Sequence, residues 1–289
     1  MTKDKYSAVW VSHSSIKDFL KCPRAYYLKN VYRDPKTGHK IKIVSPPLAL
    51  GQAVHEVVES LSILPVDKRF SNSIIAKFAK IWDRFSGKQG GFPNFDVEAK
   101  YRERGQRMIR RLVQNPGPLA NLAVKIKMNL PYFWLSSEDN IILCGKIDWI
   151  EYLPEIEQIH IIDFKTSSKD ESAESMQLPI YCLLAKNCQD RPITKASYWY
   201  LARNDSPTEI TLPDLKETHE KVLEIAKQIK IARKLERFKC PSENGCPACR
   251  PYEAIIHDNA EFVSVDEFDR DVYVIDETIY EDKEGSVIL

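Results

Sequence analysis

The sequence predicts a mixed α/β chain, and three observations carry that reading. Helical periodicity dominates residues 12–114, β-branched and aromatic runs separated by turn signals take over from Leu122, and a helix, a strand and a long helix follow. Ser12 to Asn30 opens with serines and continues through Ile16, Phe19, Leu20, Tyr26 and Tyr27, a helical pattern punctuated by Pro23, with Cys22 directly before it. After the turn-rich Asp34 to His39 and Pro46-Pro47, a helix is expected from about Leu48 to Leu64, carrying Gly51 and His55. Two more are expected at Ser73 to Phe85 and Asp96 to Gln114, joined by the glycine-rich Ser86 to Pro93 loop.

Three strands are then expected, at Ala123 to Leu130, Ile141 to Glu151 and Gln158 to Thr166. Met176 to Asn187 returns to helix, Thr194 to Ala202 reads as a strand, and Leu215 to Lys239 as a long, Lys-rich amphipathic helix. Glu261 to Leu289 mixes apolar residues with many acidic ones and reads as a short hairpin or a solubilising tail.

Composition bounds the function. A chain of 289 residues suits one catalytic core with additions, and 43% hydrophobic with 29% charged residues argues against wholesale disorder. No run approaches the ~20 apolar residues that span a bilayer, and no apolar signal region follows Met1 to Lys5, so a cytoplasmic location is expected. The net charge of +1 excludes an overall basic nucleic-acid binder, so any basic surface must be local. Seven cysteines in such a chain point to thiols or metal ligands rather than a disulfide framework.

Ile159 to Thr166 is an apolar strand ending in Asp163 and Lys165, which strand alternation puts on one face. Alone, the pair reads better as a simple ion pair at a strand end than as a metal site. The preceding strand adds Asp148 within apolar surroundings, and a return through Leu153 to Glu157 would bring it antiparallel beside Asp163. Two carboxylates in an apolar setting need a cation or a proton, and Mg²⁺ or Mn²⁺ favours such oxygen ligands. His55 has Glu59 one turn later, and Gln177 and Tyr181 stand i,i+4 on the next helix, with Pro179 at its first turn or a kink.

In this order, Gly51-x-x-x-His55, Gly145-x-x-Asp148, Asp163-x-Lys165 and Gln177-x-x-x-Tyr181 resemble the motif set of RecB-family PD-(D/E)XK nucleases. The opening Ser14-Ser15-Ile16-x-x-Phe19-x-x-Cys22-Pro23-Arg24-x-Tyr26 is similar to the start of these domains, so the likeness covers residues 12–255. The resemblance implies a restriction-endonuclease-like core, a mixed sheet flanked by helices, with an N-terminal helical region and a C-terminal cysteine-bearing segment. It implies that His55, Asp148, Asp163 and the carbonyl of Phe164 bind Mg²⁺ or Mn²⁺, that Lys165 positions water, and that Gln177 and Tyr181 support the site. Residues 1–255 would be the nuclease domain and 256–289 an acidic extension. DNA, single-stranded or with free ends, is the expected partner, with a helicase or CRISPR adaptation protein beside it. Without a Gly-x-x-x-x-Gly-Lys-[Ser/Thr] loop, ATP-driven unwinding falls to that partner.

Cys240, Cys246 and Cys249 read as a metal clamp for zinc or iron–sulfur, completed by Cys22; Cys144, Cys182 and Cys188 read as ordinary buried thiols. One cysteine before the nuclease motifs and three after resembles the [4Fe–4S] arrangement of AddB-type, CRISPR-associated and mitochondrial relatives. Those commonly run Cys-x2-Cys-x5-Cys, whereas this chain runs Cys-x5-Cys-x2-Cys and has Ile255 where their last cysteine falls, which keeps Zn²⁺ as the alternative. Arg102, Arg104, Arg107, Arg110 and Arg111 offer phosphate contacts or a solvated helix face. Tyr26, Tyr27 and Tyr32, near Arg24, offer base stacking or core packing.

Overall fold

Cys22 ends one helix and starts the next in the computed structural model, which describes residues 4–70 and 73–276. Its extended backbone (φ −166°, ψ 112°) breaks the run into α1 (His13–Lys21) and α2 (Pro23–Asn30), and its Sγ accepts the Ala25 amide at 3.4 Å. Pro23 takes the first position of α2, where its missing N–H costs nothing. Ser12 and Ser15 cap α1 reciprocally, each side chain accepting the other's amide.

Three helices form a layer over the sheet: α3 (Pro46–Glu59), α4 (Ile74–Trp82) and α5 (Phe95–Gln114). Gly105 lets α5 press onto α4, since a Cβ there would lie 2.3 Å from Phe78 Cζ. Buried Glu98 of α5 fixes the loop between α4 and α5. It accepts Trp82 Nε1 at 3.2 Å, Ser86 Oγ at 2.7 Å and the Gly87 amide at 2.8 Å.

The central sheet has the order β5 (Trp149–Leu153), β6 (Gln158–Lys165), β7 (Ile193–Tyr200) and β8 (Thr208–Ile210), with β6 and β7 parallel and the other pairs antiparallel. A second sheet joins β1 (Val9–Val11), β4 (Ile141–Cys144) and β3 (Tyr132–Ser136). In a third, β2 (Lys40–Ile43) pairs parallel with β10 (Arg270–Val274), which pairs antiparallel with β9 (Glu261–Val265). The mixed α/β expectation therefore holds.

Period-two alternation sorts the central strands between two cores. Ile159, Ile161, Ala196 and Tyr198 face α6 (Gln177–Cys188) and α7 (Leu215–Lys234). Trp149, Ile162, Phe164 and Trp199 face α3 to α5. On that second face Glu151, His160 and Ser197 form a buried ladder across β5, β6 and β7. The His160 ring lies 2.8 Å from Glu151 and 2.7 Å from Ser197, and Asn121 caps Glu151 at 2.6 Å. Each polar group is satisfied there, as burial requires.

Some expected boundaries are corrected. Ala123 to Leu130 is not a strand: it contributes one bridge, Ala123 to Glu151, and the strand follows at Tyr132–Ser136. Beyond Val124, whose amide bonds Ile150, no neighbouring strand is in register, and Lys125 and Lys127 point outward. The run from Ile141 to Glu151 breaks at residues 145–148 into β4 and β5, in different sheets. Helix α7 stops at Lys234, not Lys239, where Glu236 turns left-handed (φ 51°). Pro179 lies in the first turn of α6. The hairpin expectation holds for residues 261–274; residues 277–289 lie outside the described residues.

Three donors hold the Glu98 carboxylate below the usual range although burial alone would raise it. Glu98→Ala is therefore expected to lower stability by about 2–3 kcal/mol near neutrality by stranding buried donors. A lowered native pKa stabilises above the unfolded carboxylate range, so the deficit should shrink as acid protonates the native carboxyl. Urea titrations of both proteins across acidic pH check this; a pH-independent deficit contradicts it.

Candidate active site

The end of β6 carries the site. Asp163 and Lys165 lie on the face of Ile159 and Ile161, as alternation requires, and Asp163 is fully buried at 0% exposure. Strand β5 opposes β6 with Trp149 across from Ile162, so one residue further Asp148 meets Asp163. The backbone breaks away just there, freeing Asp148 Oδ2 to accept the Phe164 amide at 3.0 Å. His55 of α3 comes down on the same oxygen, with Nδ1 at 3.2 Å. The sequence-predicted group is thus brought together from a helix, a strand entry and a strand end.

Helix α6 supplies the other wall. Gln177 donates Nε2 to Asp163 Oδ1 at 2.6 Å and to the Tyr181 hydroxyl at 3.2 Å, while its Oε1 accepts Lys165 Nζ at 2.5 Å. Because a carboxamide both donates and accepts, one side chain fixes the carboxyl group of Asp163 and the ammonium of Lys165 together. Lys165 Nζ lies 2.9 Å from Asp163 Oδ2 and 3.2 Å from Glu171 Oε2.

Glu171 and His13 were missed by sequence reasoning. Glu171 stands in the Ser- and acid-rich connection between β6 and α6, where its only signal was an acidic residue close after the Asp-x-Lys pair. His13, at the first turn of α1 beside Lys17, Lys165 and Glu171, falls within the serine-rich opening.

These neighbours reshape the charges. Burial, then the adjacent Asp148, raises the Asp163 carboxyl to about 7 against the pull of Lys165. Burial opposes protonation of His55, but Asp148, then Asp163 and Glu59, outweigh it and raise its pKa to about 9. The 30% of its side chain that reaches solvent weakens these pulls. Burial likewise opposes the Lys165 ammonium, yet Asp163 and Glu171 raise its pKa. Burial, then Asp148 and Asp163, push the Tyr181 phenol far up, so it stays neutral. His13 is lowered to about 4, by burial and then by Lys17 and Lys165.

The donor set suits a hard divalent cation. Asp163 Oδ2 is buried without a hydrogen-bond donor, the Lys165 ion pair being off hydrogen-bonding angles, and two carboxylates face each other in a dry setting. His55, Asp148 and Asp163 are not gathered as tightly as a closed ligand cage; among the described residues only the four cysteines are. An open cleft of about 660 Å³ leads to Asp148 along residues 123–131, with Lys125, Lys127 and Lys146 on its walls.

Cys22, Cys240, Cys246 and Cys249 come together as expected, all four Sγ atoms within 4.8 Å of one another. Backbone amides point at sulfur: Ser242 to Cys240 at 3.4 Å and Cys246 to Cys249 at 3.3 Å. Burial raises Cys22 to about 11 and Cys249 to about 12, but for Cys246 the amides of Ala248 and Cys249, with the neighbouring thiols, outweigh burial and bring it to about 7. One thiolate is thus available near neutrality, and thiolate is the form that binds metal. The quartet joins α2 to α8 (Arg250–Ile256), reinforced by the bidentate Arg24–Glu253 pair at 2.6 and 3.0 Å. Cys144 and Cys182 are buried, and Cys188 donates to the Tyr132 carbonyl at 3.6 Å.

The candidate DNA contacts divide. Arg107 pairs with Glu103 at 2.9 Å and Arg111 with Asp205 at 3.1 Å, while Arg104 covers the Tyr101 ring. Tyr26 is buried and Tyr27 stacks on Phe238 at 4.9 Å, so core packing accounts for both.

If Glu171 secures Lys165, then Glu171→Gln should lower the Lys165 pKa. NMR titration of the labelled Lys165 Cε checks this, and an unchanged midpoint contradicts it.

No helix among the described residues is long and apolar enough to cross a membrane. Comparison with curated proteins gives no match. The profile of the PD-(D/E)XK nuclease superfamily matches residues 10–255, and the mixed sheet with its flanking helices is consistent with the restriction-endonuclease-like fold of that group. Its members are metal-dependent nuclease hydrolases, for which DNA is the substrate that the fold implies. The chain belongs to the PD-(D/E)XK nuclease superfamily.

Proposed function

We propose that the chain is a RecB-like exonuclease acting on single-stranded DNA or DNA ends. The observation that carries this reading is the convergence of Asp148, Asp163, Lys165 and Gln177 at one strand end, in the order of the RecB-family motifs. His55, Asp148, Asp163 and the Phe164 carbonyl would hold Mg²⁺ or Mn²⁺. Such an ion, when bound, supplies Lewis-acid chemistry and an acidified water.

The chain's own groups do the rest. Lys165, fixed by Asp163, Glu171 and Gln177, presents a permanent ammonium to the charge that develops on the scissile phosphate. Gln177 and the neutral Tyr181 keep Asp163 oriented. The lysines of the open cleft beside Asp148 would guide the phosphate backbone inward. An open cleft also suits internal cutting, so a structure-specific endonuclease is the second reading. A DNA-binding subunit of a helicase–nuclease complex is a third, in which these residues serve a partner.

Residues 1–255 form the nuclease domain in this reading, its two ends clasped by the cysteine site, and 256–289 form an extension. The placement of one cysteine before the nuclease motifs and three after them supports a [4Fe–4S] cluster at this site. Zn²⁺ is the alternative, supported by Sγ separations of 3.6 and 3.8 Å, close to the edge of about 3.8 Å in a tetrahedron of ~2.3 Å Zn–S bonds. A cytoplasmic setting and roles in repair, recombination or CRISPR adaptation, beside a helicase or adaptation partner, belong to the same proposal.

Labelled linear and circular single-stranded DNA incubated with Mg²⁺ or Mn²⁺ tests the activity. Loss of about 10²-fold or more in both Lys165→Ala and Asp148→Ala is expected, with linear DNA degraded from its ends. Cutting that persists in both variants refutes the site, attack on circles refutes the exonuclease reading, and binding without cutting favours the subunit. Metal analysis after anaerobic purification is expected to find iron with acid-labile sulfide; stoichiometric zinc in a colourless protein contradicts the cluster.

A further inference from the structure

A second cleft, of about 670 Å³, opens between α2, β2 and the turn joining β9 to β10, and no residue of the central sheet that carries Asp163 lines it. Its floor follows from the Lys40-Ile41-Lys42-Ile43 alternation of β2. Ile41 and Ile43 are buried in a small core, so Lys40 and Lys42 occupy the opposite face. Parallel pairing with β10 then sets Arg270 beside Lys40, two like charges in register, which by itself destabilises a sheet.

Carboxylates neutralise only part of this wall. Asp266 holds Arg270 at 2.6 Å and Lys42 at 3.4 Å, and Asp18 holds Lys29 at 2.6 Å. Asp269, the other acid on the lining besides Asp18, is exposed at the turn. Arg33 donates to the Gly38 carbonyl at 3.0 Å, and the Lys40 side chain makes no hydrogen bond or ion pair among the described residues. Burial, then Arg33, Arg233 and Arg270, lowers the Lys40 pKa, the mark of a cation crowded by cations. Above them Phe268 is 68% exposed, with the Arg270 guanidinium 5.0 Å from its ring. Phe268 and Arg270 lie beyond residue 255, outside the stretch that the superfamily match covers, whereas Arg33, Lys40 and Lys42 lie within it.

We propose that this cleft is a docking site for a single-stranded nucleic-acid segment, separate from the cutting site, with Arg33 and Lys40 on phosphates and a base stacked on Phe268. Unneutralised cations beside an exposed aromatic ring are the combination that holds single strands without reading sequence. The inference rests on the reading of the chain as a DNA nuclease. Its role is to hold a strand that is being cut elsewhere on the molecule, so long substrates should depend on it and short ones should not.

The test compares wild type with Arg33→Ala/Lys40→Ala and with Phe268→Ala, in buffer without added divalent metal. Fluorescence anisotropy follows a labelled single strand of about 30 nucleotides across a salt series, and cleavage of a short oligonucleotide with added Mn²⁺ is measured in parallel. The double variant is expected to bind about tenfold or more weakly, with the log K against log salt slope reduced by about 1.4, or ~0.7 per lost phosphate contact. Phe268→Ala should also weaken binding about tenfold, without changing that slope. Short-substrate cleavage should be unchanged in both.

Wild-type affinity and slope in the double variant overturn the proposal while leaving the nuclease reading intact if the wild type cuts. A wild type that neither binds nor cuts overturns both. Displacement of the strand by millimolar inorganic phosphate, with full affinity kept in Phe268→Ala, assigns the cleft to a free anion and also overturns the proposal.

Discussion

Asp163 lies wholly inside the protein with Asp148 across from it, and the surrounding structure is arranged to tolerate that pair. Two carboxylates in so dry a place repel strongly, and burial of either without a partner is costly. His55 is placed on Asp148 and Lys165 on Asp163, each from a different element. Glu171 shares Lys165, and Gln177 binds the acid and the lysine at once. Position on β6 allows this: the strand is central, with β5 and β7 on its two sides, so its end is rigid enough to hold Asp163 where charge alone disfavours it. Such locally unfavourable arrangements, supported from several directions, are characteristic of catalytic centres.

Support for that strand end comes from regions far apart in the chain. Helix α3 brings His55 from the N-terminal half, and its own placement depends on α4 and α5, locked by Gly105 and Glu98. The cysteine quartet joins α2 to the segment before α8, so residues flanking the nuclease motifs on both sides meet at one place. Pairing of β2 with β10 carries the same closure one step further, binding the C-terminal hairpin to the N-terminal region.

Most of this was legible in residue order. Asp163 and Lys165 could be placed on one face because strand side chains alternate, and Gln177 and Tyr181 on one helix face because they stand i,i+4. Cys22 could be joined to Cys240, Cys246 and Cys249 because a thiol clamp lacked a fourth ligand. What was not legible depended on partners distant in sequence. Short strands such as β1 and β2 exist through pairing with β4 and β10, and their own three or four residues carry little pattern. The run from Ile141 to Glu151 looks continuous, yet it switches sheets at residues 145–148, and that break lets Asp148 reach the Phe164 amide. Glu171 sits in an irregular connection, where no periodicity announces a position.

The central claim is that the Asp148–Asp163 pair is retained for a cation rather than for stability. Thermal unfolding of wild type and Asp163→Asn, with and without Mn²⁺, tests it most directly. Asparagine keeps an acceptor for Gln177, and Glu171 still neutralises Lys165, so the variant removes the repulsion without stranding a buried charge. The account predicts that Asp163→Asn is at least as stable as wild type without added metal, and that Mn²⁺ raises the Tm of wild type alone. A variant markedly less stable in metal-free buffer, with no response of the wild type to Mn²⁺, would contradict it.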